Sequence, residues 1–164
     1  MEPEIVNLST KQLVGMRASM TLATDSTFQL WQSFMPRRSE ISNRLGDVLF
    51  SMQIFAESMT YSSFTAETEF EKWAAVEVRE REQQQTQVPE GMEPHRLVGG
   101  LYAVFMHYGP ASTFRQTLEK FYVDWLPESE YDTDKREHFE ILQPGYRPDD
   151  LNAEEEVWIP VKVR

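Results

Sequence analysis

A carboxylate set into an apolar strand is the residue with the most chemistry to offer in this sequence. Glu140 stands in His138-Phe139-Glu140-Ile141-Leu142. The two-residue period of a strand puts Phe139 and Ile141 on one face and Glu140 with Leu142 on the other. A carboxylate bordered by aromatic rings suits an organic cation. It supplies the charge, the ring faces add cation–π attraction, and flat apolar walls bury the remainder. The same carboxylate beside a Tyr hydroxyl could activate water, which makes a hydrolase the rival function. A third possibility is a protein-interaction module that uses the acidic surface. Acidic residues are mostly exposed, so burial is what separates a binding Glu140 from a solvated one at a sheet edge.

Three aromatic residues are candidate walls for such a site: Tyr102, Trp73 and Trp158. Tyr102 follows Gly99-Gly100, and a glycine inside a strand marks either close approach of a ligand or a bulge or bend. Trp73 and Trp158 open Trp73-Ala74-Ala75-Val76-Glu77-Val78 and Trp158-Ile159-Pro160-Val161-Lys162-Val163. In each strand the tryptophan has the opposite parity to the valines at its end. Val76, Val78, Val161 and Val163 are expected to face helices, and the tryptophans the other side. Trp31, Phe114, Phe121 and Trp125 fall at helical spacing and read as core. Glu154-Glu155-Glu156 reads as the solvated start of a strand.

Other chemistries are missing from the chain. It has no cysteine, which excludes disulfides, thiolate metal sites and a cysteine nucleophile. His95, His107 and His138 lack metal-ligand spacing, so neither metal nor cofactor is expected. No glycine-rich phosphate loop or G-x-S-x-G elbow is present. The net charge is −11, from 16 basic and 27 acidic residues, which argues against a duplex-DNA surface. No apolar run reaches the length of a membrane span and no signal-peptide pattern opens the chain, so a soluble, cytoplasmic protein is the default expectation.

The elements that must position these residues come in two copies. Leu13-Val14-Gly15 leading to Ser26-Thr27-Phe28 is echoed about 85 residues later by Leu97-Val98-Gly99 leading to Ser112-Thr113-Phe114. The Trp-led strands repeat at the same spacing. Strands are predicted over 4–8, 12–21, 48–55, 70–79, 96–107, 137–143 and 154–163. Helices are predicted from Ser26 or Asp25 to Pro36 and from Ser112 to about Trp125. Residues 56–68 read as a loop. The stretch 80–95, with Gln83-Gln84-Gln85, Pro89, Gly91 and Pro94, reads as a linker between half-repeats of about 10–80 and 95–164. The sum is one α+β domain over 1–164, with helices on one face of an antiparallel sheet and a cleft between the halves. The copies differ at Ser51 against Glu140 and at Ala18 against Tyr102, where one side of a two-sided cleft would carry the chemistry.

Three stretches resemble GyrI-like, AraC-type effector-binding domains. They are Trp125-Leu126-Pro127-Glu128-Ser129, His138-Phe139-Glu140-Ile141-Leu142 and Glu156-Val157-Trp158-Ile159-Pro160-Val161-Lys162, and Gly100 to Gly109 fits the family's central strand. Glu130 departs from the family, which often has glycine there. The resemblance implies a concave sheet of tandem strand–helix–strand–strand halves. It also implies a cavity in which the glutamate of the aromatic–Glu motif, Glu140 here, meets the cationic part of lipophilic compounds. Because the chain opens directly on a strand, the likeness is to stand-alone members, among them binding proteins, gyrase inhibitors and hydrolases of reactive alkylating compounds. Direct nucleic-acid binding is not expected.

Overall fold

The computed structural model describes residues 1–79 and 88–164. Residues 80–87, the glutamine run of the expected linker included, lie outside the described residues. The strands are β1 (Glu4–Leu8), β2 (Lys11–Met20), β3 (Leu49–Ile54), β4 (Phe70–Val78), β5 (Glu93–Leu97), β6 (Gly100–Tyr108), β7 (Tyr131–Thr133), β8 (His138–Leu142) and β9 (Glu154–Val163). Helix α1 (Thr27–Phe34) continues through 3-10 turns to Glu40. Helix α2 (Phe114–Glu119) continues through a π-helical segment, Lys120–Trp125. Among the described residues no helix is long and apolar enough to cross a membrane.

Eight strands form one antiparallel path in the order β1-β6-β9-β8-β3-β4-β2-β5, and β7 pairs with β9 off the path. The order has a two-fold pattern: β6-β9-β8 of one half mirrors β2-β4-β3 of the other. The axis runs between β3 and β8, and each half takes its edge strand from the segment that precedes the other half. This is the expected α+β fold of paired halves, with one helix per half.

The connections force the sheet to curl. β1 and β2 stand six steps apart along the path, about 28 Å if the sheet were flat. Yet only Ser9 and Thr10 join them, a reach of about 10 Å. The second crossover, Val98-Gly99, packs against the first, and Thr10 Oγ1 donates to the Val98 carbonyl at 2.7 Å. Gly99 has φ +94° there, and a Cβ would run into the Leu8 carbonyl oxygen. The single strand expected over 96–107 is therefore two strands broken at the glycine pair. The bend, not a space for a ligand, accounts for Gly99-Gly100, and residues 93–95 of the expected linker belong to β5.

The two faces of the sheet pack differently. The face away from the helices closes around one core drawn from all eight strands of the path, with Leu8, Leu13, Phe50, Trp73, Leu97, Tyr102, Phe139 and Trp158 among its members. The helix-bearing face holds two separate cores. Leu30 and Phe34 of α1 pack on Val14, Ala74, Val76 and Val78. Phe121, beyond α2, packs on Ala103, Phe105, Val157, Ile159 and Val161. The expected parity of the valines thus holds, except that Val163 at the end of β9 is exposed.

Candidate functional site

Between those two cores runs a polar strip. Ser51 of β3 and Glu140 of β8 are register partners across the two-fold axis, on the helix-bearing face. Leu142, two residues along from Glu140, packs in the α1 core and fixes this orientation. Lys72 of β4 and Glu155 of β9 join the strip from either side. Lys72 shares parity with Ala74 and Val76, and Glu155 shares parity with Val157, Ile159 and Val161. All three charged residues are buried: Lys72 is 9%, Glu140 6% and Glu155 7% exposed.

Glu140 Oε1 accepts from Gln53 Nε2 at 3.0 Å, and Lys72 Nζ stands 3.9 Å from the same oxygen. Burial pushes the Glu140 carboxyl up to about 7, and the charge of Glu155 adds to this, while Lys72 and Gln53 oppose it. Burial likewise raises Glu155, again against Lys72. The strip thus sets two carboxyl groups against one ammonium. Ionising both leaves one negative charge in a desolvated position, a situation that an added cation relieves.

Aromatic rings border the strip, but not those expected from the sequence. Tyr122, in the π-helical segment, is held above its ordinary pKa by burial, by Tyr61 and by Glu140. Tyr146, in the 143–153 connection, is raised by burial, by Glu155 and by Glu140. Tyr61, in the 55–69 loop, stacks on Tyr122 with centroids 4.4 Å apart and planes at 12°. That stack spans the two halves, since Tyr61 belongs to the first and Tyr122 to the second. The loop is tied down by Lys135 Nζ, which donates to the Met59 carbonyl at 2.7 Å.

The expected walls Tyr102, Trp73 and Trp158 are not brought to Glu140. They lie on the opposite face of the sheet, because strand parity sends them inward with Phe139 when it sends Glu140 outward. There they are packed solid. Phe139 stacks on Trp158 at 5.2 Å, and Tyr102 meets both rings edge-on. The Tyr102 hydroxyl donates to the Glu137 carbonyl at 2.9 Å, and the Arg136 guanidinium lies 4.7 Å from its ring centre. The indole N–H of Trp158 donates to Glu156 Oε1 at 2.7 Å, and that of Trp73 to Glu71 Oε1 in the same pattern. The counterpart of Tyr102 in the first half is also not Ala18. Tyr102 pairs with Pro160, two beyond Trp158, and Gly15 pairs with Ala75, two beyond Trp73, so Gly15 holds the equivalent place.

Sequence reasoning passed over Lys72, Gln53 and Tyr146 and took Glu155 for a solvated residue. A signal was present: Lys72 and Glu155 each sit at the parity of valines that face a helix, where a charge has to be buried. A depression of about 190 Å³ lies elsewhere, lined by His95, Arg136, Glu137 and His138 among others. There His95 Nε2 and Glu137 Oε2 stand 2.7 Å apart.

A curled antiparallel sheet of two related halves, each with its own helix and core, and a charged strip where the cores part, defines a paired-half α+β ligand-binding module. The family model of the GyrI-like small molecule binding domain matches residues 1–162, and the chain belongs to that family. The transcriptional regulator BrlR of Pseudomonas aeruginosa is 30% identical over 162 residues, which cover 98% of this chain and 56% of that protein. The chain therefore spans little more than half the length of that relative. A putative transcription regulation protein from Staphylococcus aureus has the same fold, with TM-score 0.67, 16% identity and 99% of both chains covered. So does SAV2435 bound to tetraphenylphosphonium, with TM-score 0.66, 16% identity, and 99% of this chain and 94% of that one covered.

Proposed function

We propose that this small-molecule binding domain takes amphipathic aromatic cations in the groove between α1 and α2, with Glu140 as the charge partner. The observation that carries this is the burial of Glu140 and Glu155 against Lys72, the one cation that opposes them among the described residues, at the seam of the two half-cores. A monovalent cation placed there balances the second carboxylate. The rings of Tyr122, Tyr146 and Tyr61 offer faces for its aromatic part. That a protein of the same fold is bound to tetraphenylphosphonium, a lipophilic cation, is in keeping with this chemistry. The 30% identical relative is named a transcriptional regulator, and the role proposed for the bound cation is that of an effector.

Calorimetric titration with lipophilic aromatic monocations, tetraphenylphosphonium included, tests the proposal. Glu140→Gln keeps the shape and removes the charge, and it should weaken binding by on the order of 2–5 kcal/mol. Binding that survives Glu140→Gln undiminished, or a neutral isostere that binds as tightly as the cation, overturns it.

A further inference from the structure

The strip contains one atom that the protein leaves unused. Glu155 Oε2 is buried and has no hydrogen-bond partner among the described residues. A buried acceptor without a donor carries its whole desolvation penalty, so each such atom calls for a physical explanation. The imidazole nearest to it in the sheet is committed elsewhere. His107 is the register partner of Glu155 across β6 and β9. Its Nδ1 is engaged by Thr117 Oγ1 at 2.7 Å and its Nε2 by the Pro110 carbonyl at 3.0 Å. Lys72 Nζ stands 3.9 Å from Glu140 Oε1. The groups that face Glu155 electrostatically are thus Lys72, Glu140 and the Tyr146 phenol. The Tyr146 phenol is the one donor that favours the Glu155 carboxylate, and it makes no hydrogen bond of ordinary geometry to Oε2.

We infer that Glu155 is a second ligand-contacting residue whose free oxygen accepts a hydrogen bond from an N–H of the bound cation, so that the site prefers protonated aromatic amines to cations without N–H donors. This rests on the cation-binding reading above and adds a chemical class to it. A primary ammonium carries three donors. It can bond Glu140 with one N–H and Glu155 with another while its ring lies against the tyrosines. A quaternary ammonium or a phosphonium offers the same charge but leaves Oε2 unpaired. A site built to receive a donor discriminates strongly against an analogue that lacks it, because the penalty of the unmade bond persists in the complex.

The test uses two fluorescent monocations with the same ring system, 1-pyrenemethylammonium and its N,N,N-trimethyl analogue, titrated into the wild-type chain and into Glu155→Gln and Glu140→Gln. Wild type should bind the primary ammonium at least about tenfold more tightly than the trimethyl analogue. Glu155→Gln should weaken both probes, because the strip loses the negative charge that the cation balances, but it should cost the primary ammonium at least about tenfold more than the trimethyl analogue and so erase most of the preference; a cooperative melting transition shows the variant to be folded. Removing a buried unpaired carboxylate should raise the melting temperature as well. Should Glu155→Gln misfold, Glu155→Leu provides the same comparison. Equal affinity for the two probes in wild type, or equal losses for both in Glu155→Gln, overturns the role of Glu155 and leaves that of Glu140 standing. If neither probe binds wild type, the cation reading itself falls, and this inference with it.

Discussion

Ser51 and Glu140 face each other as register partners on β3 and β8, astride the axis that relates the halves. Trp73 pairs with Met52 and Trp158 with Phe139, so the place equivalent to Glu140 in the first half is held by Gln53 and not by Ser51, and Gln53 donates to Glu140 Oε1 at 3.0 Å. An amide in one half and a carboxylate at the equivalent place in the other make an asymmetric seam from a symmetric fold. Glu140, held by Gln53 and approached by Lys72, gives the strip its charge.

The Glu140 carboxyl makes stability depend on pH in a defined direction. Its native pKa is about 7, against 4.5 for the ordinary group, with burial as the main cause. Between those values the native state binds more protons than the unfolded chain, so stability falls as pH rises through the window. The loss attributable to this group is about 3 kcal/mol and is complete above about pH 7. Urea denaturation of wild type and Glu140→Gln across that range should show the difference between them changing by this amount, with Glu140→Gln gaining on wild type as pH rises. A difference that stays flat with pH sinks the buried position of Glu140. Affinity for a permanently charged cation should also rise with pH up to about 7 and then level off.

Lys72→Met should have a pH-dependent sign. Above about pH 8 Glu140 is ionised and loses the one ammonium that faces it among the described residues, and the variant should be destabilised by on the order of 3 kcal/mol. Near about pH 5 the Glu140 carboxyl is protonated, so losing the lysine beside it should cost little or even stabilise. Melting curves at the two pH values check this. Equal effects at both would mean that Lys72 does not compensate the strip.

Trp73→Phe and Trp158→Phe separate the two faces of the sheet. Each removes an indole N–H that donates to a carboxylate, Glu71 or Glu156, at an expected cost of about 1 kcal/mol of stability. Cation affinity should change less than about twofold, because both rings pack on the face opposite Glu140. A large loss of affinity without a loss of stability would return the ligand to the inner face.

The crossover should tolerate no side chain at Gly99. Its φ of +94° and the Leu8 carbonyl leave no room for a Cβ, so Gly99→Ala should cost on the order of 3 kcal/mol. Arg136 secures the same region by donating to the carbonyls of Gly99, Leu101 and Val161. Arg136→Met should also destabilise, by on the order of 3 kcal/mol, because buried carbonyls are left without donors. Chemical denaturation measures both; unchanged midpoints would mean that the edges of the sheet need no such closure.

Strand parity and helical spacing were open to reading in the sequence, because they are local and periodic. They placed Glu140 with Leu142, the tryptophans away from the valines, and the two helices behind Thr27 and Phe114. The paired halves were visible as well, through the Trp-led strands. The Leu-Val-Gly triplets misled, since Leu13 lies inside β2 whereas Leu97 ends β5. Two glycines with positive φ broke what looked like one strand, a matter of backbone conformation that hydropathy does not record.

Which face of β8 meets the helices was beyond the sequence. Phe139 and Ile141 on one side and Leu142 on the other are all apolar, so each face could have met a core. Only strand order and register decided it. The two-residue crossover curls the sheet, the curl encloses Phe139, Tyr102, Trp73 and Trp158, and Glu140 is left at the seam outside. The sequence by itself determined that a carboxylate would stand alone in an apolar strand of a two-fold α+β domain. Tertiary structure decided its neighbours, because Lys72, Gln53 and Glu155 come from three other strands and no local pattern links them to it.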